Sequence, residues 1–168
     1  MNINEIKLVS VSNKHQIHEI SKLAEEIWFD CYISIYSPQQ IAYMLEKSVS
    51  DKNITFQVKY DHYYYYIIQY DNINVGYVSF KFMQNSMFLN NIYIKKLYRG
   101  KGIALYTINF LTDVCNAKEQ KSIWLTVNIN SRDTIAKYLS MGFKTMRSQK
   151  VNIGNGYIID EFIMQKEL

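Results

Sequence analysis

Proline is almost missing from this sequence: one residue in 168, beside six glycines. That scarcity argues against a low-complexity or disordered chain. Cysteine is equally sparse. Cys31 and Cys115 make neither a disulfide framework nor a metal motif, and isolated thiols fit a reducing cytoplasm. His15, His18 and His62 supply no ligand cluster, so no metal is expected. No apolar run reaches the roughly 20 residues of a membrane helix. The opening MNINEIKLVSV has no basic stretch followed by a long apolar one, so no signal peptide is expected. Also absent are the Gly-Lys-Ser/Thr ending of a P-loop, the three spaced glycines of a dinucleotide fingerprint and a Gly-x-Ser-x-Gly elbow. ATP hydrolysis, NAD binding and serine-hydrolase chemistry are therefore disfavoured.

What is present is a chain that is 48% hydrophobic and 20% charged, enough for one core and one domain over residues 1–168. The net charge of +4 admits anionic ligands. With no basic run beyond Lys95, Lys96, Arg99 and Lys101, it does not mark a nucleic-acid binder.

Those four residues sit in the most informative stretch, IYIKKLYRGKGIALYTINF, from Ile92 to Phe110. An apolar strand meets a basic, glycine-bearing loop, and a helix is expected from Ile103. Glycines let backbone N–H groups face a ligand at close range. The helix dipole, Arg99 and Lys101 add positive charge. Arg99 to Ala104 is therefore either a phosphate-binding turn or an ordinary strand-to-helix loop.

Taken in order, Ile6 to Val11 predicts a strand. Ser12 or Asn13 caps a helix from about Lys14 to Asp30, with Ile17, Ile20, Leu23, Ala24 and Ile27 on its buried face. Glu25, Glu26 and Asp30 crowd the helix end where the dipole disfavours acids. They form either a solubilising face or a site for a cation. Ser37, Pro38 and Gln40 start a second helix running to Lys47. The connection holding Tyr32 and Tyr36 can then wall a pocket or fill core. Ile54 to Tyr60 is expected to be a strand or else a short irregular piece, followed by a meander of strands at Tyr63 to Tyr70, Val75 to Phe82 and Met87 to Ile94. Gly76 suggests a bulge. A helix over Ile103 to Ala117 and a strand over Ser122 to Val127 predict a parallel crossover. A short helix from Thr134 to Met141 stops before Gly142, and Phe143 to Arg147 and Tyr157 to Met164 close the chain as strands. Asn128, Asn130 and Ser131 form a polar loop that binds a ligand or caps the helix after it. Tyr138 is either packed or, with its ordinary pKa near 10, an acid for a thiolate leaving group.

Arg99, Gly102 and Ala104 fit the pattern Arg/Gln-x-x-Gly-x-Gly/Ala. Leu125, Val127, Tyr138, Gly142 and Phe143 follow at a matching separation. On these motifs the chain resembles the GNAT superfamily of acyl-CoA-dependent N-acyltransferases. Its N-terminal helices, the Ser37 to Gln40 segment and the Ile123 to Leu125 run are similar to those of bacterial polyamine or diamine acetyltransferases. The resemblance implies an α/β fold: a mixed, mostly antiparallel sheet with one parallel strand–helix–strand crossover and flanking helices. It implies acetyl-CoA as cosubstrate. Ile92 and Ile94 would hold its pantetheine arm, Arg99, Gly100, Lys101, Gly102, Ile103 and Ala104 its pyrophosphate, and Asn130 and Ser131 further contacts. It assigns Tyr138 the proton for the leaving thiolate. Glu26, Asp30, Tyr32 and Tyr36 are the candidate contacts for a small-molecule amine. A homodimer is implied by resemblance alone, and neither nucleic acid nor membrane is an expected partner. Two other readings stay open: a protein or peptide N-acetyltransferase, and a non-catalytic acyl-CoA sensor. The sequence departs from the family at Asn90, where relatives often carry a glutamate base, which leaves Glu25, Glu26, Asp30 or Glu161 to help. It departs again at Ser131, where they often have asparagine.

Overall fold

The computed structural model describes residues 5–168. Met1 to Asn4, the start of the stretch read for a leader, lie outside the described residues. Among the described residues, seven strands form one sheet: β1 (Ile6–Ser10), β2 (Tyr64–Tyr70), β3 (Ile73–Phe82), β4 (Ser86–Ile94), β5 (Ser122–Asn128), β6 (Lys144–Gly154) and β7 (Tyr157–Glu167). Their order is β1-β2-β3-β4-β5-β7-β6. β4 and β5 run parallel, whereas β1–β2, β2–β3, β5–β7 and β6–β7 are antiparallel. The helices are α1 (Lys14–Tyr32), α2 (Pro38–Ser48), α3 (Asp51–Tyr60), α4 (Ile103–Ala117) and α5 (Arg132–Ser140). This is the mixed, mostly antiparallel sheet with one parallel crossover expected from the sequence.

The chain forms two compact units. The first runs up to Lys81 and adds Asn91–Asn109. In it Asn13 caps α1 through a reciprocal box with Gln16. Ile17, Ile20, Leu23, Ala24 and Ile27 are buried at the expected spacing, with Trp28 beside them. Ser37 accepts from the Gln40 N–H and Pro38 opens α2. The segment expected as a strand, Ile54 to Tyr60, is instead most of α3. Ile54, Thr55 and Val58 carry strand propensity, but Ser50 accepts from the Asn53 N–H and Asp51 complements the dipole in the first turn. Ile54 is the helix's buried side chain, and Gln57 ties the helix to Ser48 and Tyr65.

β2 and β3 are joined by Asp71 and Asn72, both at positive φ (50° and 64°), a left-handed pair that suits a two-residue hairpin. The β2–β3 register slips so that Ile68 faces Gly76 but Gln69 faces Asn74. Val75 is thus the extra residue, next to the glycine that suggested a bulge. A Cβ on Gly76 would lie 2.1 Å from the Tyr93 carbonyl oxygen and 3.1 Å from the Ile94 Cα. The glycine lets β4 approach that closely, and the Lys95 N–H donates to the Val75 carbonyl at 2.8 Å.

The second unit comprises Phe82–Asn90 and Phe110–Leu168. Met87, Leu89, Leu111, Cys115, Ile123, Leu125, Phe143 and Met164 are among its buried residues. Phe88 stacks on Trp124 with centroids 4.3 Å apart. The parallel β4–β5 ladder covers Ser86–Phe88 against Ser122–Trp124 and stops there, while β5 pairs with β7 along its whole length. The last two strands are longer than expected. Most of β6 is exposed, so no apolar alternation marked its extent. The β6–β7 hairpin closes on Asn155 and Gly156, at φ 54° and 79°. Among the described residues, no helix is long and apolar enough to cross a membrane.

Candidate functional site

In the first unit, β4 ends at Ile94, Lys96–Tyr98 make a short 3-10 turn, and α4 begins at Ile103. Gly100 and Gly102 both sit at φ 77°, a conformation that side chains resist. The Tyr106 N–H donates to the Gly102 carbonyl at 3.0 Å as the opening bond of α4. The N–H groups of Ile103, Ala104 and Leu105 therefore have no acceptor within the helix. A Cβ added at Gly100 would meet no heavy atom within 4 Å beyond its chain neighbours, and Lys101 is exposed. Backbone donors, a helix N-terminus and a nearby cation suit an anion such as phosphate.

The Arg99 side chain, by contrast, is engaged within the protein. Its Nε donates to the Ile94 carbonyl at 2.9 Å. Its Nη2 lies 3.1 Å from Asp30 Oδ2 and donates to Cys31 Sγ at 3.3 Å. Lys96 reaches Asp30 Oδ1 at 3.9 Å, and Lys95 meets Glu26 Oε2 at 3.1 Å. The acids at the unfavourable end of α1 thus face the basic turn, which offsets the dipole. Glu25 is exposed.

Beside these pairs lies an aromatic cluster. The Trp28 indole N–H donates to the Tyr77 hydroxyl at 2.8 Å, and the Tyr32 and Tyr93 hydroxyls lie 2.6 Å apart. Trp28 meets Tyr93 at 5.4 Å and Tyr32 edge-on at 5.9 Å, while Tyr32 meets Tyr36 at 5.7 Å. Burial pushes the Tyr77 and Tyr93 hydroxyls well above the ordinary tyrosine value, and the neighbouring tyrosines push in the same direction. Both therefore stay protonated. The structure brings Glu26, Asp30, Tyr32 and Tyr36 together along the end of α1 and the loop after it. The sequence reading missed Trp28, Tyr77 and Tyr93. Signals pointed to two of them: Trp28 and Tyr32 are four apart on one helix, and Tyr93 falls between Ile92 and Ile94 on an alternating strand. Ile92 is half-buried and Ile94 buried. Asn91 is also buried and donates from Nδ2 to Ser79 Oγ at 2.8 Å.

The second unit holds the remaining candidates. Asn128 Oδ1 accepts from the Asn130 N–H at 2.8 Å, a local turn that leaves Asn130 exposed. Ser131 stands at the N-cap of α5 with no side-chain capping bond. Tyr138 is half-buried on α5, its ring 5.4 Å from that of Phe143. Glu161 on β7 accepts from Gln149 Nε2 at 2.7 Å. No group of three His, Cys, Asp or Glu side chains able to hold a metal occurs among the described residues.

Residues 18–143 match the Acetyltransferase (GNAT) family. The chain is 20% identical to an uncharacterized N-acetyltransferase of the pepI 3' region in Lactobacillus delbrueckii subsp. lactis, over 97% of this chain and 98% of that one. Its fold is similar to that of the PaiA N-acetyltransferase from Thermoplasma acidophilum, solved in complex with coenzyme A. That likeness has a TM-score of 0.82 and 20% identity, over 97% and 99% of the two chains. A chimera of the Vibrio cholerae spermidine N-acetyltransferase SpeG and hSSAT aligns with a TM-score of 0.72 and 17% identity, over 97% and 95%.

Proposed function

We propose that this chain, which belongs to the acetyltransferase (GNAT) family, transfers an acetyl group from acetyl-CoA to a primary amine on a small cationic molecule such as a polyamine. The observation that carries this reading is the β4–α4 turn. Two glycines at φ 77° precede a helix whose first N–H groups lack helical acceptors, on the motif that the family uses for pyrophosphate. Residues 1–168 act as one catalytic domain in this reading.

The cosubstrate supplies an acetyl group activated as a thioester. The turn from Arg99 to Ala104 holds its diphosphate through backbone donors, and Lys101 adds charge. The Ile92 and Ile94 backbone orients the pantetheine arm. That role is supported by a parallel ladder that ends at Phe88 and so does not occupy the later residues of β4. Asn130 and Ser131 add polar contacts. Tyr138 donates the proton that the departing thiolate takes up; a phenol, protonated at neutral pH, is suited to that step.

For the acceptor, Tyr32 and Tyr36 offer aromatic faces that attract an ammonium, and Glu26 offers a carboxylate. An ammonium must lose a proton before it attacks. Asn90 and Asn91 cannot take that proton, and Asp30 is engaged by Arg99 and Lys96, so the task falls to Glu25, Glu26 or Glu161.

Calorimetry with acetyl-CoA tests the cosubstrate, and no binding at saturating ligand refutes the whole reading. A screen of amines and peptides with acetyl-CoA tests the acceptor. Turnover of spermidine without turnover of peptides supports a small cation, and the reverse pattern refutes it.

A further inference from the structure

Arg99 opens the motif, and a guanidinium beside a phosphate site would ordinarily be assigned to the phosphate. Its geometry argues otherwise. A guanidinium carries five N–H donors in a planar fork. Here Nε is directed at the Ile94 carbonyl, five residues back, and Nη2 at both the Asp30 carboxylate and the Cys31 sulfur. One side chain therefore ties together the end of β4, the start of the turn and the last turn of α1. The Ile94 bond closes the intervening residues into a loop. The Asp30 bond fixes that loop to a helix that also carries Trp28 and Tyr32.

The acids at the end of α1 support this arrangement independently. Carboxylates at a helix C-terminus are repelled by the dipole. Asp30 faces two cations, Arg99 and Lys96, and Glu26 faces Lys95. All three cations come from the segment between β4 and α4.

We infer that Arg99 is a positioning residue, braced by Asp30 and the Ile94 carbonyl, that holds the diphosphate turn in shape without itself binding phosphate. Asp30 then serves the cosubstrate side and not the acceptor. The inference rests on the reading that the turn takes the diphosphate of acetyl-CoA.

The two roles for Arg99 predict opposite signs at Asp30. As a brace, Asp30→Asn loosens the turn and weakens coenzyme A binding. If Arg99 were a phosphate ligand, the same change would remove a competing carboxylate and tighten binding. The Arg99 and Asp30 side chains are 32% and 35% exposed. The expected effect is therefore that of a solvent-screened pair, a rise in Kd of about five-fold or less. Calorimetry with coenzyme A on wild type, Asp30→Asn, Arg99→Gln and the double variant reads it. The brace predicts weaker binding in each single variant and a double variant no worse than Arg99→Gln, because both remove one interaction. It also predicts a raised KM for acetyl-CoA with kcat for Asp30→Asn within about two-fold, the signature of lost binding and not lost chemistry. Tighter binding in Asp30→Asn overturns the inference. So does an unchanged Kd for coenzyme A with a raised KM for the acceptor. Failure of wild type to bind coenzyme A refutes the functional reading instead. Circular dichroism and urea midpoints identify any variant that has not folded.

Discussion

Gly76→Ala sets two measurable effects against each other. Gly76 is not at positive φ, so alanine can adopt its backbone without strain. On chain entropy alone the change stabilises the protein by ~0.4–1 kcal/mol, because alanine restricts the unfolded chain. Against that, the added Cβ would stand 2.1 Å from the Tyr93 carbonyl oxygen, and both this atom and the Ile94 Cα at 3.1 Å are backbone. No flexible side chain can move aside, so β3 and β4 must separate or shift. Overpacking of this kind costs ~1–3 kcal/mol, and a contact this short belongs at the upper end. The net expectation is a loss of about 2 kcal/mol. At ~2–4 °C per kcal/mol for a chain of this size, Tm falls by ~4–8 °C. Calorimetry or a circular-dichroism melt checks it. The shift also strikes β4 at Tyr93 and Ile94, where the cosubstrate arm is proposed to lie, so KM for acetyl-CoA should rise in the same variant. A Tm equal to or above that of wild type refutes the reasoning, since entropy would then outweigh the contact.

Tyr138→Phe should lower kcat by ~100-fold or more while leaving KM for acetyl-CoA near its wild-type value, the loss expected of a general acid. Unchanged turnover in steady-state assays removes that role. The Ser21 hydroxyl, and then His18 at 2.9 Å, hold the Asp51 carboxyl below the usual carboxylate range. That stabilisation is present above the unfolded pKa of ~3.9 and is lost as pH falls through the lower folded value. Asp51→Asn should therefore flatten the acid limb of a urea-midpoint profile while leaving the shape of its neutral region unaltered. Burial pushes the Cys115 thiol up to about 11. At pH 8 an alkylating reagent should consequently leave Cys115 unmodified in the native protein and label it after unfolding, as peptide mapping would read.

The sequence revealed the turn, the three-strand meander and the parallel crossover for physical reasons. Glycine spacing, apolar alternation and helical periodicity are local, and each repeats over several residues. Where a single feature decided the outcome, the reading was harder. The segment Ile54 to Tyr60 has β-branched residues that favour a strand, and only the Ser50 cap and Asp51 in the first turn point to a helix. The outer strand β6 has little buried face to announce it. At the candidate site, both halves of the Arg99–Asp30 pair were visible separately, as acids at the wrong end of a helix and as a basic loop. No periodicity links positions 69 residues apart (99 − 30). The Tyr32–Tyr93 hydroxyl pair was hidden for the same reason, since tertiary contact alone joins those positions.

The chain has two tryptophans. Trp28 is seated in the first compact unit, where its indole donates to Tyr77, and Trp124 in the second, stacked on Phe88. Each unit thus carries one tryptophan of its own. Replacing one indole with phenylalanine leaves tryptophan emission from the other unit alone, when excitation is at wavelengths the tyrosines do not absorb, so the melting of each can be followed by its own light. Coincident curves would describe one cooperative block, and separated curves two. The same pair of single-tryptophan proteins would show which unit changes its emission when coenzyme A is added.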